Sequence, residues 1–166
     1  PKTQKKIVEI SVAEQRERDT RHSNLILTKL KEVDTNIKDE MAKLDKEKFL
    51  EMCVLMKVEM KADDIADCRR LGKKREDGHP RALKITLKDA RKKGNIFKSY
   101  KLLASNEEFK PVKLSNDLTK LQREIYQQMW DEAKQKTQDD TSGNCVYKVV
   151  GPPWNWILKK FQKKDQ

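Results

Sequence analysis

Lys and Arg outnumber Asp and Glu 38 to 27 in this chain, and most of the excess falls in one stretch. From Asp67 to Lys93 there are eleven Lys or Arg (Arg69, Arg70, Lys73, Lys74, Arg75, Arg81, Lys84, Lys88, Arg91, Lys92, Lys93) against four acids (Asp67, Glu76, Asp77, Asp89), a balance of +7 in a chain whose total is +11. A solvated helix face mixes signs, whereas an unbalanced basic block beside a turn and a strand concentrates positive potential where a polyanion can lie. Arg69, Arg70, Lys73, Lys74 and Arg75 sit where a strand runs into a loop, and Arg81 and Lys84 lie on the next strand. Together they are expected to line one edge of a nucleic-acid-binding module and to hold the polymer by its phosphates, with arginine also able to stack on bases. The plainer reading of each is a solvent-exposed charge with no partner.

Other chemistry finds little support. His22 and His79 are the only histidines, and neither makes a short spacing with Cys53, Cys68 or Cys145, so neither a zinc site nor any other cofactor is expected. Three cysteines far apart do not make a disulfide framework, which favours a reducing compartment. Asp63, Asp64 and Asp67 are close enough to suggest a metal, but the first two serve equally well as a polar turn. There is no glycine-rich phosphate loop, no HExxH and no GxSxG, and an enzyme is not expected. No apolar run approaches the ~18 residues that would span a bilayer, so no membrane partner is expected.

The elements that must position these cations are read from periodicity. Hydrophobic residues are 36% and charged residues 39% of 166, so the core is small and roughly 90 to 100 residues should pack as a unit. Pro1 is not an initiator, and the chain is expected to be a piece of a longer protein. Residues 1–20 read as a helix whose seam carries Ile7 and Ile10, then Glu14 and Glu17. It is either an isolated solvated helix or the end of a coiled coil lying upstream, the second being favoured because so polar a helix has little reason to form alone.

Residues 24–30 read as a strand with Leu25, Leu27 and Leu30 inward, followed by a charged connection from Lys31 to about Lys43. Asp45 is expected to cap a helix running to Met60, with Phe49, Met52, Cys53, Met56 and Met60 as core rather than soft-metal ligands. A strand with Ile65, Cys68 and Leu71 breaks at Gly72, and residues 81–88 alternate cleanly with Leu83, Ile85 and Leu87 on one face. Asp89 opens a helix with Ala90, Phe97, Tyr100 and Ala104 on its apolar side, and VKLS is a short strand. The fold class is therefore α+β, in the β-α-β-β-α-β order of a ferredoxin-like (RRM-like) core over residues 21–117. Residues 118–166 form a carboxyl-terminal domain. In it Asn116 or Asp117 caps a helix with Leu118, Leu121, Ile125, Met129 and Ala133 apolar, CVYKVV is a strand, GPPW a corner and NWILKKFQKK a basic tail. Trp154, Trp156 and Phe161 are expected to pack on that helix in preference to stacking on bases.

The succession RHSNLIL, DIADCRRLGKK, RALKITLKDA, VKLSNDLTKLQRE and YKVVGPPW resembles the RRM-like core and following domain of the first-open-reading-frame proteins of LINE-type retrotransposons, over about residues 12 to 158. The resemblance implies an RNA-binding nucleic-acid chaperone that assembles a ribonucleoprotein on its element's transcript. Its partners would be single-stranded RNA, or DNA, and further copies of itself through a trimeric upstream coiled coil. Its place would be a cytoplasmic particle, with the nucleus as a second location. In that family the carboxyl-terminal domain closes over single-stranded RNA, and Arg123 in LQRE matches an RNA-contacting arginine. Arg21 resembles the basic hinge leading out of the coiled coil.

This chain departs from ordinary RRMs at the stacking positions of the first and third strands. Ile26, Ala82 and Lys84 fall there, none of them aromatic. Stacking worth ~1–3 kcal/mol per base is given up at each, so binding should be sequence-tolerant and steeply salt-dependent. A reading from another class is an interaction scaffold, a coiled-coil stem carrying a ferredoxin-like head that contacts protein through its third helix and aromatic tail.

Overall fold

The computed structural model describes residues 12–35 and 37–162; Ile7 and Ile10 of the expected seam lie outside them. Among the described residues the chain is α+β, with four α-helices, an antiparallel four-stranded sheet and an antiparallel two-stranded sheet. The described residues divide into two compact units, Asp19–Asp117 and a second one made of residues 118–162 with residues 12–18. The first helix, α1 (Val12–Arg21), buries none of its side chains.

In the unit Asp19–Asp117 the elements are β1 (Asn24–Thr28), α2 (Lys38–Leu55), β2 (Ile65–Arg70), β3 (Leu83–Leu87), α3 (Lys92–Ser99) and β4 (Lys113–Asn116), with a 3-10 turn at Tyr100–Ser105. The strands lie in the order β2-β3-β1-β4, every neighbouring pair antiparallel. Period-two alternation settles which face each residue takes. Leu25, Leu27, Leu83, Ile85 and Leu87 are buried against Phe49, Met52 and Cys53 of α2, Met56 at its C-cap and Ile96 of α3, each full burial contributing roughly 1.5–3 kcal/mol. Lys29 adopts a left-handed φ of 64° that ends β1, which is how Leu30 still reaches the core.

The charged connection is shorter than its composition suggests, because residues 38–43 are already helical. Strong helix formers without Gly or Pro, led by Asp39 and Glu40 in the first turn, extend α2 backward. Asp45 is therefore a mid-helix residue and not a cap. The helix also stops before Met60: Lys57 turns left-handed at φ 56°, its N–H reaching Val54 O and that of Val58 reaching Cys53 O, a Schellman closure. On α3 the buried side is Lys93 and Ile96, followed by Leu103, while the expected Ala104 is exposed. The shift to 3-10 winding at Tyr100 rotates the later residues off the α-helical stripe.

Asp45 has another task. Its carboxylate and the Arg70 guanidinium are almost wholly buried, at 1% and 2% exposure, and Arg70 Nε donates to Asp45 Oδ2 at 2.8 Å. Arg70 Nη1 also donates to the carbonyls of Leu30 and Arg81, both at 2.8 Å. One guanidinium thus ties β2 to α2, to the exit of β1 and to the entry of β3.

In the second unit α4 (Lys120–Gln138) packs on a hairpin of β5 (Cys145–Val150) and β6 (Ile157–Gln162). Thr119 caps the helix in a reciprocal capping box with Gln122, while the expected cap Asp117 is bound instead to Arg21 and Asn24. The expected basic tail is largely a paired strand, β6. Gly151 makes the turn between the strands at φ +104°, where a Cβ would lie 2.3 Å from Asn155 O. Among the described residues few side chains are buried here, Ala133 and Cys145 being the apolar ones.

Removing one partner of the buried pair strands the other charge in a dry site, which costs about 3–5 kcal/mol. Asp45→Ala is expected to lose that much in urea unfolding of the whole chain, and a loss below about 1 kcal/mol would contradict the role given to the pair.

Candidate nucleic-acid interface

The face of the sheet opposite the core is built from every second strand residue. Register places Arg69 beside Lys84, Lys84 beside Ile26 and Ile26 beside Ser115, a single row across β2, β3, β1 and β4. Lys113 follows on β4, paired with Thr28, and Asp67 and Thr86 occupy the neighbouring row. The strands thus offer Arg69, Lys84 and Lys113 against the single acid Asp67. Arg69 is 61% exposed and sits 3.4 Å from Asp67. Lys113 was not singled out from sequence, although its place between Val112 and Leu114 marks it as facing away from the core.

Lys73, Lys74 and Arg75 lie in the exposed loop after β2. Lys74 approaches Asp34 at 3.5 Å, and Arg75 Nε donates to Asp77 at 3.0 Å. The Arg75 hydrogen bond holds the Asp77 carboxyl below its ordinary range. Such exposed pairs contribute about 0–1 kcal/mol, so a phosphate can displace the acid at little cost.

Two expected contacts do not belong to this surface. Arg70 points to the core side, because it follows Arg69 on a strand, and its charge is consumed by Asp45. Arg81 is 15% exposed and grips Glu32, 12% exposed, through Nη2 at 2.7 Å and through Nε. Hydrogen bonding from Arg81 keeps the Glu32 carboxyl lowered. The basic stretch is accordingly not one edge: it is split between the open face, the loop and the interior. Ala82 precedes β3 and is half-buried.

Further along, Arg91 pairs with Asp89 and Lys92 with Asp64. Lys93 is buried and donates from Nζ to His22 O at 2.7 Å, beside a polar cluster where Arg21 Nη1 and Asn24 Nδ2 donate to Asp117 at 2.7 and 2.8 Å. Arg21 is thus engaged in holding the start of β1. Arg123 belongs to the other unit, exposed on α4, with Nη1 donating to Leu118 O at 2.9 Å.

The aromatics of that second unit divide. Trp156 packs on Tyr126 with ring centroids 5.1 Å apart, as expected of packing on the helix, whereas Trp154 is 69% exposed. Phe161 is half-buried with Lys148 and Lys159 over its ring. Among the described residues there is no cluster of three or more His, Cys, Asp or Glu placed to hold a metal, and no helix long and apolar enough to cross a membrane. Burial pushes the Cys53 and Cys68 thiols up to about 12, which leaves them poor nucleophiles.

No protein-family model and no curated protein sequence matches the chain.

Burial pushes the Lys93 ammonium down to about 8, against the opposing pull of Asp117. Below that pH folding must bury a charge. Between about 8 and the ordinary 10.5 the unfolded chain holds the proton and the folded one does not, so folding gains stability as pH rises. The stability of the native sequence minus that of Lys93→Met is expected to increase from pH 7 to pH 9.5 in urea unfolding; a difference independent of pH would contradict this.

Proposed function

We propose that this chain binds single-stranded nucleic acid, RNA foremost, through its phosphates, and that it serves as the ribonucleoprotein-forming chaperone of a LINE-type retrotransposon. The observation that carries the binding reading is the row on the open face of the sheet, Arg69 beside Lys84 with Lys113 on the outer strand, while Lys73, Lys74 and Arg75 add exposed charge in the loop after β2. The sheet order β2-β3-β1-β4, with α2 and α3 sharing its one core face, supports a ferredoxin-like, RRM-like platform. The retroelement assignment rests on the resemblance of the five sequence strings, as do a trimeric coiled coil upstream and a cytoplasmic or nuclear particle.

No aromatic ring stands among the open-face residues of the strands, where Ile26 and Lys84 occupy the centre. Affinity at the sheet then comes from displaced counterions, which is indifferent to sequence and weakens with salt. Strands held in this way can slide and re-pair, as chaperone activity requires, and several linked copies would restore overall affinity.

Each phosphate contact on a single strand contributes roughly 0.7 to the slope of log affinity against log salt. Changing Arg69, Lys84 and Lys113 together to Ala is expected to flatten that slope by about 2 for a short oligouridylate, measured by fluorescence anisotropy. An unchanged affinity with an unchanged slope would overturn the assignment of this face.

A further inference from the structure

The second unit contains a groove of about 480 Å³ between α4 and β5, lined by Tyr126, Trp130, Lys134, Tyr147 and Lys148 among others. Its size falls within the roughly 300–1,000 Å³ of small-ligand sites. Among the described residues that line it, three are aromatic, two are lysines and none is acidic. Tyr126, Trp130 and Lys134 recur at four-residue intervals and so stand on one stripe of α4. That stripe is not closed by the hairpin: Trp130 keeps 46% of its surface exposed and Tyr126 39%. Lys134 Nζ lies 5.6 Å from the Trp130 ring centre, and Lys160 Nζ 5.7 Å from that of Tyr147.

We propose that this groove receives an unpaired base of single-stranded nucleic acid, stacked on Trp130, while Lys134 and Lys148 meet the adjoining phosphates. Flat rings flanked by ammonium groups are complementary to a ligand that is itself a flat ring on an anionic chain. An apolar protein segment would have no use for the two lysines, and an acidic one none for the exposed indole. The groove supplies the ring stacking that Ile26 and Lys84 cannot give at the sheet. The inference rests on the nucleic-acid reading above and adds to it a second contact of different chemistry, sensitive to bases where the sheet is sensitive to charge.

The test compares the native chain with Trp130→Ala, Trp130→Phe and Lys134→Ala, using a short oligouridylate and a ribose-phosphate chain of equal length lacking bases, at fixed low salt. The native chain is expected to prefer the base-bearing strand by about tenfold. Trp130→Ala should lose that preference while keeping its salt slope, Trp130→Phe should retain most of it, and Lys134→Ala should weaken both ligands alike. Thermal melting of each variant reports whether the fold survives; should Trp130→Ala unfold, Trp130→Leu, which keeps apolar volume without a ring, carries the comparison and is expected to lose the preference, its retention overturning the groove. A native chain that binds both ligands equally, or a Trp130→Ala chain that folds and keeps the full preference, overturns the groove and leaves phosphate binding at the sheet intact. A native chain that binds neither ligand overturns both readings.

Discussion

Consecutive residues of a strand point to opposite faces, and in β2 that rule separates two adjacent arginines. Arg70 turns inward to a carboxylate on α2 and to carbonyls at the ends of two neighbouring strands; Arg69 turns outward to stand beside Lys84. A slip of one residue would turn every side chain of β2 to the other face and take Arg70 out to solvent. The buried pair with Asp45 and the open face therefore belong to one and the same register. Removing one partner of the pair leaves an uncompensated charge in the core.

The same division decides which positive charges remain for a polyanion. Arg70, Arg81 and Lys93 are withdrawn into the structure, each on a specific acceptor. Arg69, Lys74 and Arg75 keep acids close by, but in water, where the attraction is weak and exchangeable. A platform of this kind suits a ligand that must be held by charge and let go by competition. On the proposed reading, the groove in the second unit adds contact of the opposite kind, short-ranged and dependent on rings.

Much of this was legible in the sequence because it follows from periodicity. Leu83, Ile85 and Leu87 announce β3 by strict alternation, and Lys84 and Ile26 follow onto the other face. What was not legible depends on long-range partners. Nothing local distinguishes Arg70 from Arg69 as a core residue until Asp45 is known to sit mid-helix, and Asp45 looked like a cap because charged residues upstream of it resemble a loop. Arg81 was obscured in the same way by its distant partner Glu32. The true cap of α4 was written locally, as Thr119 followed three residues later by Gln122, but the acidic and amide residues just before it competed for the role. The groove has a local signature in the four-residue spacing of Tyr126, Trp130 and Lys134, but its other wall, Val146 to Val149 of β5, is brought up only by tertiary packing.

The central claim is that the open side of the sheet, and not its helical side, meets the ligand. Backbone amide chemical shifts followed during titration with a short oligouridylate at low salt test this residue by residue. The account predicts the largest changes at Ile26, Arg69, Lys84 and Ser115 and in the loop over residues 71–79, reversed by added sodium chloride, with Val54, Leu55 and Leu102 on the helical side unmoved. Changes centred on Val54, Leu55 and Leu102, with the open face silent, would contradict it.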